Sequence, residues 1–417
     1  MVRRQFETYL DKVFGFADLV AGMPEGRTYP LHPWENVFDA VFLGSACQFA
    51  TLHRIEFESR DGVLSKRIGP ISEDTLGYAM QRQDIDSLFA LGCTIAQRLK
   101  RNGVLGSEWA MGRLVAAVDG IEICKSYTRC CDACLERKVE RKVDGELREC
   151  VQYYHRVSAV TLVSTPFPVF LGIRFQQAGE TEVACSLALL RQLNTQLGRR
   201  FFDVLVADAI YLQTPFVTAI ESLGLDWVIN LKDNQPALLA EAERLTVAPA
   251  ACQWSAGNED FSLWHLPAVD WPVANRLVRV VKTVRVQQIK RVKIKRPGEP
   301  RDKQKEQVSL EGANFYASNV ELGSISPKFI HLLGRSRWTI DATAFQTLTT
   351  DSHLKQPSVH KDVALVVLTT IRVLAYTLTT VFYHRQIRSH CRKRPPSFCE
   401  MARLLALALF TDAPDTS

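Results

Sequence analysis

A chain of 417 residues is too long for one ordinary hydrophobic core, so its length predicts two or three domains. An apolar fraction of 47% and a charged fraction of 23% are typical of a folded globular protein and exclude a largely disordered one. The net charge of +6, from 51 basic and 45 acidic residues, is too small to indicate a nucleic-acid partner by itself.

The N-terminal sequence lacks the apolar segment and the small-residue cleavage site of a secretory signal, which favours a cytoplasmic protein. The 11 cysteines are then expected to be reduced thiols, some of them metal ligands. Residues 363–383 have the length and apolar character of a membrane span, but Arg372 lies in their middle. Because a central arginine is costly in lipid, we predict a core helix and no membrane contact.

The spacing of apolar residues divides the chain into four parts. Residues 1–105 have helical periodicity, with a capping box at Ser72, and predict a helical domain that either binds DNA or only supports the rest. Residues 106–235 read as three strands, helix, strand, helix and strand, which predicts an α/β domain with a mixed sheet. Residues 236–330 alternate Val, Ile and Arg and predict a β-rich basic insertion. Residues 331–417 are again helical.

Three aspartates have the pattern of a metal-dependent nuclease. Asp119 ends the apolar run LVAAVDG, Asp208 ends the apolar run DVLVADAIY, and Asp341 lies in the helical segment SRWTIDATAF. A charge among apolar residues is costly, so a carboxylate at a strand end is expected to face a cleft. A cage of such oxygens suits Mg²⁺ or Mn²⁺, and two ions can activate a water or a 3′-hydroxyl. Aspartates also end strands at ordinary turns, so spacing alone is weak support.

Four stretches resemble the DDE transposases of bacterial insertion sequences, in the insertion-sequence-four-like group whose catalytic core holds a β-rich insertion. They are VDGIEI, VADAIYLQTPFVTAIESLGLDWVINLKDNQPALL, RSRWTIDATAFQTL and the long apolar helix that follows, and they cover about 110–400. The resemblance implies a ribonuclease-H-like α/β core and an enzyme that cleaves element ends and transfers the strands into target DNA. It also implies that Asp119, Asp208 and Asp341 hold two Mg²⁺ or Mn²⁺ ions. The working form is expected to be a homodimer on double-stranded DNA.

The resemblance further implies DNA contacts near these acids. Arg337 lies one helical turn before Asp341, and Lys232 belongs to the Lys-x-Asn-Gln strand end of the second-aspartate block. Tyr211 is expected either to contact DNA near the cut or to be a packed tyrosine. Trp338 is expected to be a core anchor.

The sequence departs from the group's pattern around the third acid. Asp341 stands where the group has glutamate, which shortens the reach by one methylene, and Gly334 and Leu348 replace the usual tyrosine and lysine. Residues 342–344 are Ala-Thr-Ala, where the group has Asn-Glu-Gly or a similar run. Two alternatives therefore stay open: a catalytically impaired or domesticated transposase that acts as a DNA-binding protein, and a nuclease that cuts without joining.

The insertion contains a basic segment. From Arg276 to Lys305 there are twelve lysines or arginines and two acids, which makes a local charge near +10. Basic residues on strands or on a flexible link neutralise phosphates without reading bases, although a solvated charge run is the alternative. The DNA-binding residues predicted here are Lys290, Arg291, Lys293, Lys295 and Arg296.

A cysteine-rich segment lies between the first two predicted strands of the core. Cys131-x-x-Cys134 is a tight knuckle, and Cys150 with His155 would complete a tetrahedral zinc site. Similar transposases often have Cys-x-x-Cys followed by Tyr-Tyr-His-Arg, which this chain has at 153–156. A structural zinc would fix this loop, and reduced cysteines without metal are the alternative.

Overall fold

The computed structural model describes residues 2–411 except 107, 144, 293–304, 322–324, 357, 360 and 389–393. The chain divides into two compact units, which are Met1–Phe201 with Trp338–Ser417, and Phe202–Arg337. Both units combine helices and strands. The predicted α/β class is confirmed, and the element order is consistent with a ribonuclease-H-like core.

The first unit begins with six helices. These are α1 (Val2–Phe14), α2 (Phe16–Ala21), α3 (Trp34–Ala46), α4 (Leu52–Arg60), α5 (Glu73–Met80) and α6 (Ile85–Arg101). Ser72 caps α5 as predicted, because its hydroxyl accepts a hydrogen bond from the Thr75 N–H at 3.2 Å. The third helical residue is Thr75 rather than Glu or Gln, so the second contact of a capping box is replaced by a bond of 2.8 Å between the two hydroxyls.

Four antiparallel strands follow in the first unit. They are β1 (Val115–Ser126), β2 (Leu135–Val143), β3 (Glu146–Leu162) and β4 (Val169–Phe175), and α7 (Glu182–Leu197) comes next. β3 pairs with β1 along one side, and with β2 and then β4 along the other. β2 has no counterpart among the predicted strands. Its sequence, LERKVERKV, is mostly charged, so its strand conformation depends on hairpin pairing with β3 rather than on an apolar face.

The second unit has a mixed sheet of six strands. Its elements are β5 (Val204–Ala207), α8 (Thr214–Ser222), β6 (Asp226–Leu231), α9 (Pro236–Leu245), β7 (Cys252–Ala256), β8 (Glu259–Trp271), β9 (Arg276–Val292), β10 (Lys305–Ser318) and α10 (Pro327–Ser336). The strand order is β5-β6-β10-β9-β8-β7, with β5 and β6 parallel and the other pairs antiparallel. The strands predicted in the basic segment and at NFYASNV are confirmed as β9 and β10.

The chain then returns to the first unit. A π-helical turn (Ile340–Phe345) leads into α11 (Gln346–Thr350) and the long α12 (Asp362–Phe382), and a second π-helical turn (Tyr383–Ile387) precedes α13 (Phe398–Thr411). α12 packs against α3, α5, α6 and β4, so it forms the centre of this unit.

In the described part of the chain, one helix is long and apolar enough to cross a membrane, and 89% of its most apolar stretch is buried. Arg372, in its middle, is 4% exposed and donates hydrogen bonds to the carbonyls of Ala50, His353 and Gln356 at 2.8–3.2 Å. Burial lowers the pKa of Arg372 to about 10, and the carbonyls replace the water that the guanidinium has lost. These contacts support the predicted core helix.

Gly334 lies where α10 comes closest to β10. A Cβ atom at this position would lie 2.2 Å from the ring of Tyr316, which is buried. The space that a tyrosine at position 334 would need is therefore filled by the tyrosine of β10. This packing accounts physically for glycine at the position where the resemblance led us to expect tyrosine.

We predict that Gly334→Ala lowers the free energy of unfolding by about 1–3 kcal/mol, because the added methyl group overpacks the Tyr316 ring. Gly77, in α5, is the matched control. A Cβ atom there meets nothing within 4 Å, so Gly77→Ala should raise stability by up to about 1 kcal/mol. Urea unfolding followed by circular dichroism checks both variants, and equal effects would contradict the close contact.

Candidate active site

The end of β5 positions the second predicted acid. The four residues of β5 are all buried, and β5 runs parallel to β6 with Ala207 opposite Ile229. The carboxyl ends of parallel strands meet at one edge of a sheet. Asp208, which follows β5, therefore emerges beside the residues that follow Ile229 in β6.

Asp208 is partly buried, with 33% of its side chain exposed. Its Oδ1 accepts hydrogen bonds from Lys232 Nζ at 3.0 Å and from Asn230 Nδ2 at 3.1 Å. Burial alone would raise the pKa of Asp208, but the Ala209 N–H, Lys232, Asn230 and the charge of Arg337 together hold that pKa below its usual value. The carboxylate is thus anionic near neutral pH, which is the form that binds a divalent cation.

The Lys-x-Asn-Gln motif fixes the loop that follows this carboxylate. Asn234 Nδ2 donates to the Ala209 carbonyl at 2.6 Å, and Gln235 Nε2 donates to the Leu212 carbonyl at 2.8 Å. Gln235 is itself held by Trp271, whose Nε1 donates to its Oε1 at 2.8 Å. Asn230, Asn234 and Gln235 were not predicted as site residues, although the Lys-x-Asn-Gln motif was the available signal for Asn234 and Gln235.

Two residues predicted to contact DNA have buried side chains. Tyr211 is 0% exposed and lies 5.2 Å from the Phe216 ring between centroids, so the packed-tyrosine alternative describes its position. Arg337 is 4% exposed, and its charge acts on Asp208. In this conformation Arg337 helps to lower the pKa of Asp208, and little of its side chain is accessible to DNA.

The first predicted acid lies in the first unit. Asp119 follows four fully buried residues of β1 and stands opposite Ala159 of β3. The prediction that it ends its strand is wrong, because pairing with β3 continues β1 to Ser126. Its Oδ1 accepts a hydrogen bond from the Gly120 N–H at 2.8 Å. A Cβ atom at Gly120 would lie 2.9 Å from the carboxyl group of Glu182, so a larger residue directly after the acid would displace that side chain.

The third predicted acid, Asp341, is partly exposed in the π-helical turn Ile340–Phe345. This turn packs against β1, so the first unit brings the segment of the third acid to the strand of the first. Turns of this type are frequent at functional sites.

The expectation that Trp338 is a core anchor is wrong. The Trp338 side chain is 55% exposed, because the inward face of this helical segment is formed by the buried residues Arg337 and Ile340.

The lysine expected seven residues after the third acid has no equivalent here. Leu348 is 1% exposed within α11 and belongs to the apolar core. A lysine at this position would bury its ammonium group at a high cost in free energy. The packing of the core therefore favours leucine over the lysine of the group pattern.

A charged network that was not predicted lies on the other face of β1. Glu122 accepts from Arg137 at 2.9 and 3.0 Å and from Arg156 at 2.7 Å, and it pairs with Lys125 at 2.8 Å. Burial alone would raise the pKa of Glu122, but these cations lower it to about 2. Glu122 is the third residue after Asp119 on the strand, so the two side chains point to opposite faces. This network supports β1 and β3 rather than the acid.

The structure brings together three of the four predicted zinc ligands. Cys131 Sγ and Cys134 Sγ are 3.7 Å apart, and each lies 3.4 Å from His155 Nε2. Burial lowers the pKa of His155, with the charge of Asp362 acting in the opposite direction, and a neutral imidazole is the form that binds metals.

Cys150 does not join this cluster. It precedes His155 by five residues on β3, and residues at odd separation point to opposite faces of a strand. The predicted ligand set is therefore corrected at Cys150.

Several cations of the basic segment, Arg276 to Lys305, form ion pairs or hydrogen bonds within the protein. Arg276 pairs with Glu221 at 2.8 Å, and Arg285 pairs with Glu259 at 3.1 Å. Two further cations are engaged, because Arg279 is buried and donates to the Ile325 carbonyl, and Lys282 donates to Thr246. These four of the twelve cations add little to a DNA-binding charge. The side chains of Lys290 and Arg291, and all of Lys293, Lys295 and Arg296, lie outside the described residues.

Comparison with known proteins decides the family. Residues 141–378, more than half of the chain, match the family model described as the transposase DDE domain. The chain belongs to the DDE transposases. The matched region of this transposase contains Asp208 and Asp341 and begins after Asp119.

The transposase also resembles a solved structure described as the cryo-EM structure of piggyBac transposase synaptic complex with hairpin DNA. The two are 11% identical, with a TM-score of 0.45, and the match covers 98% of this chain and 79% of that chain. No curated protein matches the transposase.

We predict that Lys232→Met raises the pKa of Asp208 in this DDE transposase, because the variant removes both a hydrogen bond and a positive charge. NMR titration of protein carrying ¹³C-labelled aspartate carboxyl groups measures the shift. Lys138→Met is the matched control, since Lys138 pairs with Glu149 on an exposed surface. An Asp208 titration that does not change in Lys232→Met would contradict the contact.

Proposed function

We propose that this transposase cuts DNA at the ends of a mobile element and joins the freed 3′-hydroxyl groups to target DNA. The observation that carries this proposal is the Asp208 carboxylate, which accepts hydrogen bonds from Lys232 and Asn230 at the end of a parallel strand pair, inside the family-matched region. Asp119 and Asp341, whose segments pack together in the first unit, are the other two proposed metal ligands.

The proposed cofactor is a pair of Mg²⁺ or Mn²⁺ ions, and the donor set fits these ions because it consists of carboxylate oxygens. Such a pair, when bound, activates the attacking oxygen and stabilises the leaving oxygen of a phosphodiester. The residues of the chain prepare the ligands. Arg337 and Asn230 keep Asp208 ionised, and the glycine after Asp119 leaves room for the Glu182 carboxyl group.

Without metal, the Lys232 ammonium group supplies the positive charge beside Asp208. Its side chain is 59% exposed, so the ammonium group can move into solvent or onto a DNA phosphate when a metal ion takes its place. The proposed DNA contact of Lys232 therefore follows from metal binding rather than competing with it.

The proposed partner is double-stranded DNA, namely the terminal repeats of the element and the target. Two ends must be paired in such a reaction, so we propose a homodimer as the working form. We also infer membership of the insertion-sequence-four-like bacterial group and action in the cytoplasm, on the four sequence stretches that carry the resemblance.

A second candidate function is DNA binding without cutting. It is favoured by the packing of Gly334 against Tyr316 and by the burial of Leu348. These positions are committed to the core and cannot supply the tyrosine and lysine of the related enzymes. The intact acids Asp119 and Asp208 favour the catalytic function.

We predict metal-dependent cleavage of a labelled duplex that carries the terminal repeats of the element. The native chain should cut with Mg²⁺ or Mn²⁺, and Asp208→Ala should lose at least about a hundredfold in rate, since removal of one ligand displaces the ions. Salt-sensitive binding of Asp208→Ala to the same duplex shows that the variant is folded. Binding by the native chain with no cutting in either metal would overturn the proposal and favour the second function.

Variants of the third acid make the same test sharper. Asp341→Asn should abolish cutting, whereas Asp341→Glu should retain it, because the carboxylate is kept and the family's reach is restored. Asp351→Asn, at the end of α11, is the control that leaves cutting unchanged. Joining is measured separately with pre-cut ends, and cutting without joining would identify a nuclease.

We also predict that the basic segment contacts phosphates. Replacing Lys290, Arg291, Lys293, Lys295 and Arg296 together with Gln should weaken DNA binding at every sequence. The slope of log K against log salt should become shallower by about 0.9 for each lost phosphate contact. Arg199→Gln with Arg200→Gln, on an exposed loop, is the control. Fluorescence anisotropy across a salt series measures the slopes, and an unchanged slope would contradict the prediction.

A further inference from the structure

Three metal-binding atoms converge in the first unit, on side chains that the proposed nuclease reaction does not use. Cys131 and Cys134 lie in the turn before β2, and His155 lies on β3. The three distances among their ligand atoms are 3.7, 3.4 and 3.4 Å. A tetrahedral zinc site with ordinary bond lengths has edges of about 3.8 Å between sulfurs and about 3.6 Å between sulfur and nitrogen. The triangle thus has the size of one face of such a tetrahedron.

Hydrogen bonding between the side chains does not account for this convergence. Both sulfurs lie at the same distance from one nitrogen, His155 Nε2, which has either one lone pair or one N–H. It therefore satisfies one thiol well and not two. A cation at the centre accounts for all three contacts together.

Backbone N–H groups of the knuckle point at its sulfurs, while burial raises the pKa of the Cys131 thiol to about 11. The Cys131 N–H donates to Cys134 Sγ at 3.3 Å, the Ala133 N–H donates to Cys131 Sγ, and the Cys134 N–H closes the turn onto the Cys131 carbonyl at 3.0 Å. Hydrogen bonds from backbone N–H groups favour the charged form of a sulfur ligand.

A candidate for the fourth ligand lies on β1, outside the group of three ligand atoms that are within 4.8 Å of one another. Cys124 lines the same cavity of about 120 Å³ as the other three side chains. Its backbone has φ of 52°, and the pairing of β1 with β3 shifts register between Ile123 and Ser126. A bulge of this kind re-aims a side chain, and a positive φ at a residue other than glycine is strained and concentrates at functional sites. The bulge accounts for the position of Cys124 at this cavity.

We propose that Cys124, Cys131, Cys134 and His155 bind one structural Zn²⁺ ion. The ion ties the bulge of β1 to the turn before β2 and to β3, and so braces the strand that carries Asp119. Asp362, at the start of α12, acts electrostatically on His155 as carboxylates commonly do on zinc-bound histidines. This inference stands apart from the proposed nuclease activity, since the ligands are soft thiolates and the ion is not catalytic.

The test uses the full chain purified under reducing conditions with no added metal, followed by metal analysis and by Co²⁺ exchange. We expect one zinc ion per chain, and on exchange the intense visible bands of tetrahedral Co²⁺ with a thiolate charge-transfer band. Cys124→Ser and Cys131→Ser should lower the affinity at least roughly a hundredfold in competition with a chelator. Cys150→Ser and Cys130→Ser are the matched controls and should retain the zinc and the bands.

Three outcomes would overturn the proposal. They are a native chain that contains no zinc and gives no tetrahedral Co²⁺ spectrum, loss of the metal in Cys150→Ser but not in Cys124→Ser, and a disulfide between Cys131 and Cys134 found by mass spectrometry in the purified chain. Circular dichroism of each variant separates loss of the metal from loss of the fold. None of these readouts depends on DNA cleavage, so failure of the zinc site and failure of the proposed activity are distinguishable.

Discussion

The structure around the candidate active site depends on the cost of an ionised carboxylate at the end of a fully buried strand. β5 is buried along its whole length, so Asp208 meets solvent only at the strand end. A lysine, an amide, a backbone N–H and a buried guanidinium make the charge stable there. The same groups keep the carboxylate anionic, and an anionic oxygen is what a hard divalent cation requires. The contacts that stabilise the charge of Asp208 are therefore the same contacts that prepare it for the proposed metal binding.

The surrounding motif follows from that demand. A carboxylate acts as a metal ligand only when its backbone is fixed, and Asn234 and Gln235 fix the loop after Asp208 through the carbonyls of Ala209 and Leu212. In the first unit, the charged network of Glu122 ties β1 to β2 and β3 on the face opposite Asp119. The π-helical turn of Asp341 packs on the same strand. Much of the family resemblance therefore lies in residues that support the proposed ligands.

Local apolar patterns were sufficient to predict β1, β5 and β6 and the position of Asp208 after β5, because a buried strand is recognisable from a few consecutive residues. The predicted end of β1 at Asp119 was wrong, since the strand continues to Ser126 through its pairing with β3. Features that depend on distant partners were not predictable in this way. β2 is a strand only because it pairs with β3, and the cations of β9 are neutralised by acids far away in sequence. The proposed fourth zinc ligand is Cys124 rather than Cys150 because of the side of β3 on which Cys150 lies and because of the bulge in β1. Neither feature can be inferred from the spacing of the cysteines in the sequence.

The most direct test of the central claim is anomalous diffraction from crystals of the transposase grown with Mn²⁺ and a terminal-repeat duplex. The account predicts two manganese peaks about 3.5–4 Å apart, coordinated by the carboxylates of Asp119, Asp208 and Asp341. Manganese bound elsewhere, with Asp208 still paired to Lys232 in the presence of metal and DNA, would contradict it.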